Sequence, residues 1–131
     1  MANETILIVE DDPKALELMT DLLRQEDYRV ISARDGAQGL EVAKQEQPDL
    51  ILMDVQLPGL NGLAVARRLK EDPATAMIPI VAVTSMTLGR EEAQAMVRDC
   101  VGYIPKPISP RSLLGLVPAF LQAGKRRPTR G

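Results

Sequence analysis

Short, unbroken runs of apolar residues constrain the fold of this chain more than any other feature of its sequence. They occur at residues 6–9 (ILIV), 50–53 (LILM) and 78–83 (IPIVAV). Runs of this kind are typical of strands that are buried on both faces, as in parallel sheets. The segments between them, such as residues 13–25, carry apolar residues at three- and four-residue spacing, which indicates amphipathic helices. Strands that alternate with helices predict a parallel sheet with right-handed crossovers.

The whole chain reads as five strands and five helices. Strands are predicted at residues 6–9, 28–33, 50–53, 78–83 and 102–104. Helices are predicted at residues 13–25, 37–45, 63–70, 90–98 and 111–123. The last helix contains Gly115 and Pro118, and an interior proline removes one helical hydrogen bond. We therefore expect that helix to bend or restart near Pro118.

Composition favours a single cytoplasmic domain and limits a metal site to oxygen ligands. The 131 residues suffice for one domain with a real core, and they contain no apolar run of 18 that could span a membrane. Residues 1–5 lack the pattern of a signal peptide, and the single cysteine, Cys100, excludes an internal disulfide, so we expect a cytoplasmic protein. The chain has no histidine. A metal site would therefore consist of oxygen ligands, which suit Mg²⁺.

Charge is unevenly distributed along the chain. The last seven residues, 125–131, hold four cations and no acid. Removing these four charges from the net −2 leaves −6 on the rest of the chain. An acidic body argues against a nucleic-acid-binding face. The basic end could contact RNA or an acidic partner, but we expect a disordered, solubilising tail.

Polar residues that follow the predicted strands are expected to meet at the carboxyl edge of the sheet, where open α/β folds bind ligands. They are Glu10, Asp11, Asp12, Asp54, Thr84, Ser85 and Lys106. Phosphoryl transfer needs such a set: acids hold Mg²⁺, a lysine pairs with a phosphoryl oxygen, and a carboxylate such as Asp54 can accept the phosphoryl group. No dinucleotide-binding motif or P-loop is present, so nucleotide binding has no support.

Each of these residues also has a simpler interpretation. Asp54 could be a helix N-cap or a turn residue that ends its strand. The acids at positions 10–12 could cap the first helix and suit its dipole, Thr84 could cap a helix, and Lys106 could be a surface residue. Their order on successive strand ends favours the phosphoryl-transfer site over these separate roles.

Four stretches of the sequence closely resemble the receiver domain of two-component response regulators. They are residues 6–13 (ILIVEDDP), 50–59 (LILMDVQLPG), 83–85 (VTS) and 103–108 (YIPKPI). The chain is similar to stand-alone regulators of the DivK kind. The resemblance implies an α/β fold with a single doubly wound, five-stranded parallel sheet and five helices. This is the (βα)5 flavodoxin/CheY-like fold with strand order 2-1-3-4-5. It implies a receiver domain over residues 4–123 and leaves residues 124–131 as the basic tail.

The resemblance assigns the acids to a phosphoacceptor and its metal. Asp54 matches the phosphoacceptor, and Asp11 matches the main Mg²⁺ ligand. Glu10 matches a neighbouring acid that acts mostly through water, and Gln56 would offer its backbone carbonyl to the metal. Gln56 and Met86 occupy two positions that tune dephosphorylation in the family, with effects that the sequence leaves open.

The resemblance also assigns a switch. Thr84 matches the switch hydroxyl, Tyr103 the switch aromatic, and Lys106 the phosphate-binding lysine, with a cis Lys106–Pro107 bond expected. Phosphorylation of Asp54 would draw Thr84 toward the phosphoryl group and turn Tyr103 inward. The surface of the fourth helix, fifth strand and fifth helix would change. Tyr103 could alternatively be a strand aromatic without a switching role.

The implied partners are proteins. The donor would be a sensor histidine kinase or a histidine phosphotransfer protein, and the altered surface would bind a downstream protein target. No nucleic acid or membrane partner is expected, and the chain would be a monomer or weak dimer. It would not be an enzyme with a free substrate, because it would promote only its own phosphorylation and dephosphorylation.

Two other functions are compared with this one. A phosphohydrolase of the haloacid dehalogenase kind also uses an aspartate nucleophile, but it needs an acid where this chain has Gln56. A receiver-like interaction module that acts without phosphorylation would be expected to lack Asp54, Asp11 or Lys106, and all three are present. Whether the chain is a stand-alone regulator or a receiver from a longer protein stays open, although the short basic tail slightly favours the former.

Overall fold

The computed structural model describes residues 3–57, 59, 61–85 and 88–125. Within these residues the chain forms five strands and five helices in strict alternation. The strands are β1 (Thr5–Val9), β2 (Arg29–Ala33), β3 (Leu50–Asp54), β4 (Ile80–Thr84) and β5 (Gly102–Pro105). The helices are α1 (Pro13–Gln25), α2 (Gly36–Glu46), α3 (Gly62–Glu71), α4 (Arg90–Asp99) and α5 (Pro110–Lys125). Each predicted element is confirmed to within two residues at its ends.

The five strands form one parallel sheet in the order β2-β1-β3-β4-β5. The register places Val9 beside Met53 and Asp54 beside Val83. The carboxyl ends of the three central strands therefore lie level at one edge. This arrangement confirms the doubly wound fold class and the strand order that the resemblance implies.

Helices cover both faces of the sheet, which explains why β3 is an unbroken apolar run. Leu50 and Leu52 pack on one face with residues of α1 and α5, such as Met19 and Val117. Ile51 and Met53 point to the other face and pack with residues of α2 and α3. Since both faces of β3 are buried, the alternate sets of side chains from Leu50 to Met53 are all apolar, and Asp54 ends the strand. Because helices cover both faces of the sheet, the carboxyl ends of the strands are the part of the sheet that a ligand can approach.

Helix α4 packs at the margin of the second layer. Its Ala95 and Met96 contact a small cluster that contains Val55, Leu63 and Ala82. This cluster lies directly behind the end of β3. In the described part of the chain, no helix is long and apolar enough to cross a membrane.

Helix α5 runs without interruption through Pro118, so the helix does not restart near that residue, and a bend there stays a prediction. Pro118 is exposed, whereas Val117 and Leu121 on either side of it are buried in the core. These contacts hold both halves of the helix against the sheet, although proline cannot donate a backbone hydrogen bond. The helix also continues to Lys125, two residues beyond the predicted end of the receiver domain. The rest of the predicted tail, residues 126–131, lies outside the described residues.

Candidate functional site

Three carboxylates converge where β1 and β3 end. Asp54 is the last residue of β3, and Glu10 and Asp11 follow β1. Oxygen atoms of the three side chains lie within 4.8 Å of one another. Glu10 and Asp54 are almost completely buried, with 1% and 2% of their surface exposed. The predicted gathering of acids at the carboxyl edge of the sheet is therefore present.

The Asp54 carboxylate is held in place by two donors. The Nζ atom of Lys106, just after β5, lies 2.9 Å from Asp54 Oδ1. The backbone N–H of Gln56 donates to the same oxygen at 3.0 Å. Lys106 Nζ also lies 3.8 Å from Glu10 Oε1. A charged donor and a backbone donor on one oxygen fix the direction in which the carboxylate points.

Glu10 is a buried acid that is poorly compensated. Its Oε2 accepts a hydrogen bond from the Asp12 backbone N–H at 3.1 Å, but its buried Oε1 has no hydrogen-bond partner. Burial raises the pKa of Glu10 to about 7, and the nearby Asp54 charge adds to this, whereas the Asp12 amide and Lys106 oppose it. The site therefore contains a buried oxygen that a cation would satisfy. Three carboxylates with such an oxygen fit a Mg²⁺ ion well.

Asp12 does not join this cluster but caps helix α1. Its side chain accepts a hydrogen bond from the Lys14 backbone N–H at 3.2 Å, with Pro13 at the first helical position. The capping interpretation of the acids at 10–12 thus holds for one of the three.

Thr84 and Ser85 lie at the end of β4, next to the end of β3. Thr84 is 1% exposed, and its backbone carbonyl accepts a hydrogen bond from the Lys106 N–H at 2.8 Å. Gln56 Nε2 donates to Ser85 Oγ at 3.2 Å, which links the loops that follow β3 and β4. The end of β4 is therefore hydrogen-bonded to Lys106 and Gln56, the two residues that donate to the Asp54 carboxylate.

Tyr103 lies on β5, farther from the acids. Its side chain is 41% exposed and lines a surface groove with α4 residues Met96 and Val97. The Lys106–Pro107 peptide bond is cis, as predicted. The structure thus brings Glu10, Asp11, Asp54 and Lys106 together and leaves Tyr103 on the α4–β5 surface.

Comparison with known proteins decides the family. The family model of the response regulator receiver domain matches residues 6–117. This chain is a receiver domain of the response regulator family. Its sequence is 38% identical over 122 residues to the polar-differentiation response regulator DivK of Brucella anthropi, which covers 93% of this chain and 94% of that protein.

Solved structures of receiver domains have the same fold. A CheY-like receiver domain protein from Methanospirillum hungatei superposes with a TM-score of 0.87 at 26% identity, covering 95% of this chain and 98% of that one. The receiver domain of a sensor histidine kinase from Pseudomonas aeruginosa gives a TM-score of 0.83 at 29% identity, over 92% and 99% of the two chains. That structure has a magnesium ion coordinated in its active site cleft.

Two features of this receiver domain were not predictable from the sequence. The Gln56–Ser85 hydrogen bond joins residues 29 positions apart, and no local sequence pattern predicts it. Gly62, at the start of α3, lies against the backbone of Asp54. A glycine at the start of a predicted helix was the one available signal for that contact. Met86, the second position thought to tune dephosphorylation, lies outside the described residues.

Replacing Glu10 by glutamine is expected to stabilise the metal-free receiver domain at pH 8 by about 2 to 3 kcal/mol. Because the pKa of Glu10 is about 7 in the folded chain and 4.5 when the side chain is free, the folded state keeps a proton that the unfolded state has lost. Ionisation of Glu10 therefore lowers the free energy of unfolding as pH rises from 4.5 to 7. The Glu10→Gln side chain lacks that penalty.

Urea unfolding with EDTA at pH 4.5 and pH 8 measures this difference. The variant and the native protein should be nearly equal in stability at the lower pH and differ at the higher one. An equal difference at both pH values would show that Glu10 ionisation is not its cause.

Proposed function

We propose that this receiver domain accepts a phosphoryl group onto Asp54 from a sensor histidine kinase or a histidine phosphotransfer protein in the cytoplasm. The observation that carries the proposal is a buried Asp54 carboxylate paired with Lys106 at 2.9 Å and flanked by two more acids within 4.8 Å. An isolated structural aspartate would need neither the second and third acids nor the lysine. The match to the receiver family supports the same assignment.

Phosphoryl transfer in this site needs little besides positioning and charge compensation. A carboxylate oxygen of Asp54 attacks the phosphorus atom of the donor phosphohistidine. The new O–P bond forms as the N–P bond breaks, and the imidazole leaves with the bonding electron pair and takes up a proton. Lys106, whose Nζ lies 2.9 Å from Asp54 Oδ1, would pair with a phosphoryl oxygen after the reaction.

The residues that would hold Mg²⁺ are Glu10, Asp11 and Asp54, together with the backbone carbonyl of Gln56. When bound, the ion supplies positive charge against the carboxylates and the phosphoryl oxygens. The buried Oε1 of Glu10, which has no hydrogen-bond partner, supports a cation at this place.

Phosphorylation would then change the surface formed by α4, β5 and α5, which we propose as the binding surface for a partner protein. The new charge lies beside the end of β4, where Thr84 is the proposed switch hydroxyl. Thr84 and Lys106 are joined through a backbone hydrogen bond, so β4 and β5 end as one unit. Tyr103 on β5 borders α4 and is half exposed. A local change at Thr84 would thus reach this surface through the hydrogen bond to Lys106 and through β5.

Intact-mass analysis after incubation with acetyl phosphate and Mg²⁺ tests the proposal. The native protein should gain one phosphoryl group, whereas Asp54→Asn and an EDTA-treated sample should gain none. If acetyl phosphate gives no adduct, phosphorylated sensor kinases replace it as donors. Continued absence of an adduct would contradict the proposal and favour a receiver-like interaction module that acts without phosphorylation.

A further inference from the structure

Gly62 lies directly behind the proposed phosphoacceptor. It is the first residue of α3 and is buried. A Cβ atom placed on Gly62 would collide with the carbonyl oxygen of Asp54 and would lie 2.8 Å from its carbonyl carbon and 2.9 Å from the Cα of Val55. All three are main-chain atoms, which cannot rotate away as a flexible side chain can. The first turn of α3 therefore rests on the backbone of Asp54 itself.

Hydrogen bonds fix the same segment from both sides. The Gly62 N–H donates to the Val55 carbonyl at 3.0 Å, and the Val55 N–H donates to the Val83 carbonyl of β4 at 3.0 Å. Asn61 caps the helix by accepting from the Leu63 N–H at 2.7 Å. The backbone at the end of β3 is thus held between β4 and the first turn of α3.

The requirement at Gly62 is for space and not for an unusual backbone conformation. Among the described glycines, the one with a positive φ is Gly59, at 74°. Gly62 has helical backbone geometry that any residue can adopt. A side chain at this position is excluded by main-chain atoms of Asp54 and Val55.

We propose that Gly62 is a positioning residue for phosphoryl transfer, an inference that rests on the proposed function. By lacking a side chain, it lets α3 seat the backbone from which the Asp54 carboxylate projects. Lys106 and the Gln56 N–H then fix the carboxylate itself. A methyl group at position 62 has to displace either α3 or Asp54, and the carboxylate moves relative to both donors.

The test compares Gly62→Ala with Gly102→Ala. A Cβ at Gly102 would collide with the Phe120 ring, at the start of β5 and away from Asp54. Both variants thus place one methyl group in a tight contact, but only one contact involves Asp54. Gly62→Ala should lower the maximal rate of phosphorylation by acetyl phosphate at saturating Mg²⁺ by about 10- to 100-fold, because an ångström of misplacement costs about that much. Gly102→Ala should keep the rate within about twofold of the native protein, since its reacting groups stay in place.

Each outcome separates this inference from the proposed function. If no donor phosphorylates the native protein, the proposed function fails and Gly62 has no transfer to position. If the native protein is phosphorylated but the two variants lose rate equally, after correction for the folded fraction from urea unfolding, Gly62 acts on stability alone and the inference is overturned.

A second variant covers the case in which Gly62→Ala does not fold. Asn61→Ala adds no atoms near Asp54 but removes the cap that holds the first turn of α3. A fall in the phosphorylation rate of about threefold or more would support the positioning role, since that role requires an ordered first turn. An unchanged rate would overturn it.

Discussion

Replacing Lys106 by methionine is expected to slow phosphorylation of Asp54 by about 10²- to 10³-fold. The Lys106 ammonium lies 2.9 Å from Asp54 Oδ1, and its side chain is only 25% exposed. Methionine keeps the length of the stem but cannot pair with a phosphoryl oxygen. Initial rates from intact mass with acetyl phosphate and Mg²⁺ measure the effect.

The same change removes the compensating charge from a buried pair of acids. Asp54 and Glu10 are almost completely buried, and Lys106 contacts both. Removing one partner of a buried ion pair typically costs about 3 to 5 kcal/mol, and partial exposure of Lys106 places this case at the lower end. The loss should shrink toward pH 5, because protonation of Glu10, whose pKa is about 7, relieves the repulsion.

A matched lysine elsewhere provides the control. Lys44 Nζ lies 3.3 Å from Asp72 on the surface, with 58% of the lysine side chain exposed. Lys44→Met should leave the phosphorylation rate unchanged and lower the free energy of unfolding by less than about 1 kcal/mol. A Lys106→Met protein that is phosphorylated at the native rate would exclude the proposed role of Lys106.

The architecture was predictable because each strand carries its own signal. The run at residues 50–53 is apolar at every position, and this pattern indicates burial on both faces before any contact is known. The structure confirms it, with Leu52 facing α1 and α5 and Ile51 facing α2 and α3. Pro118 shows the limit of local rules. Whether the helix continues through this residue depends on how Val117 and Leu121 pack, and the sequence of the helix does not contain that information.

The site was predictable as a set of positions but not as a set of contacts. Parallel strands fix which residues share an edge, and that rule alone brings Glu10, Asp54 and Lys106 together. Whether an acid such as Asp12 joins the cluster or caps a helix depends on a side-chain rotation, which no spacing rule determines. The contact of Gly62 with Asp54 depends likewise on how closely α3 approaches β3.

Saturating Mg²⁺ is expected to raise the free energy of unfolding of the native protein by about 3 kcal/mol at a concentration 100 times the dissociation constant. The three carboxylates lie within 4.8 Å of one another in the folded chain, whereas unfolding separates Asp54 from Glu10 and Asp11, so the ion binds the folded state. Asp11→Asn should remove most of this gain, because it neutralises one of the three acids that we propose as ligands. Asp21→Asn, which neutralises an exposed acid on α1, should retain it.

Competition between Mg²⁺ and protons for Glu10 provides a second test of the metal site, through the pH dependence of the stabilisation. The pKa of Glu10 is raised to about 7, so Mg²⁺ has to displace a proton from Glu10 at lower pH. The stabilisation by Mg²⁺ should therefore be full near pH 8 and decline as pH falls through 7, whereas Glu10→Gln should show a flatter dependence. Urea unfolding with Mg²⁺ or EDTA across this range measures both effects. Equal stabilisation of the native protein and Asp11→Asn at every pH would place the ion elsewhere and would remove the metal-assisted part of the proposed mechanism.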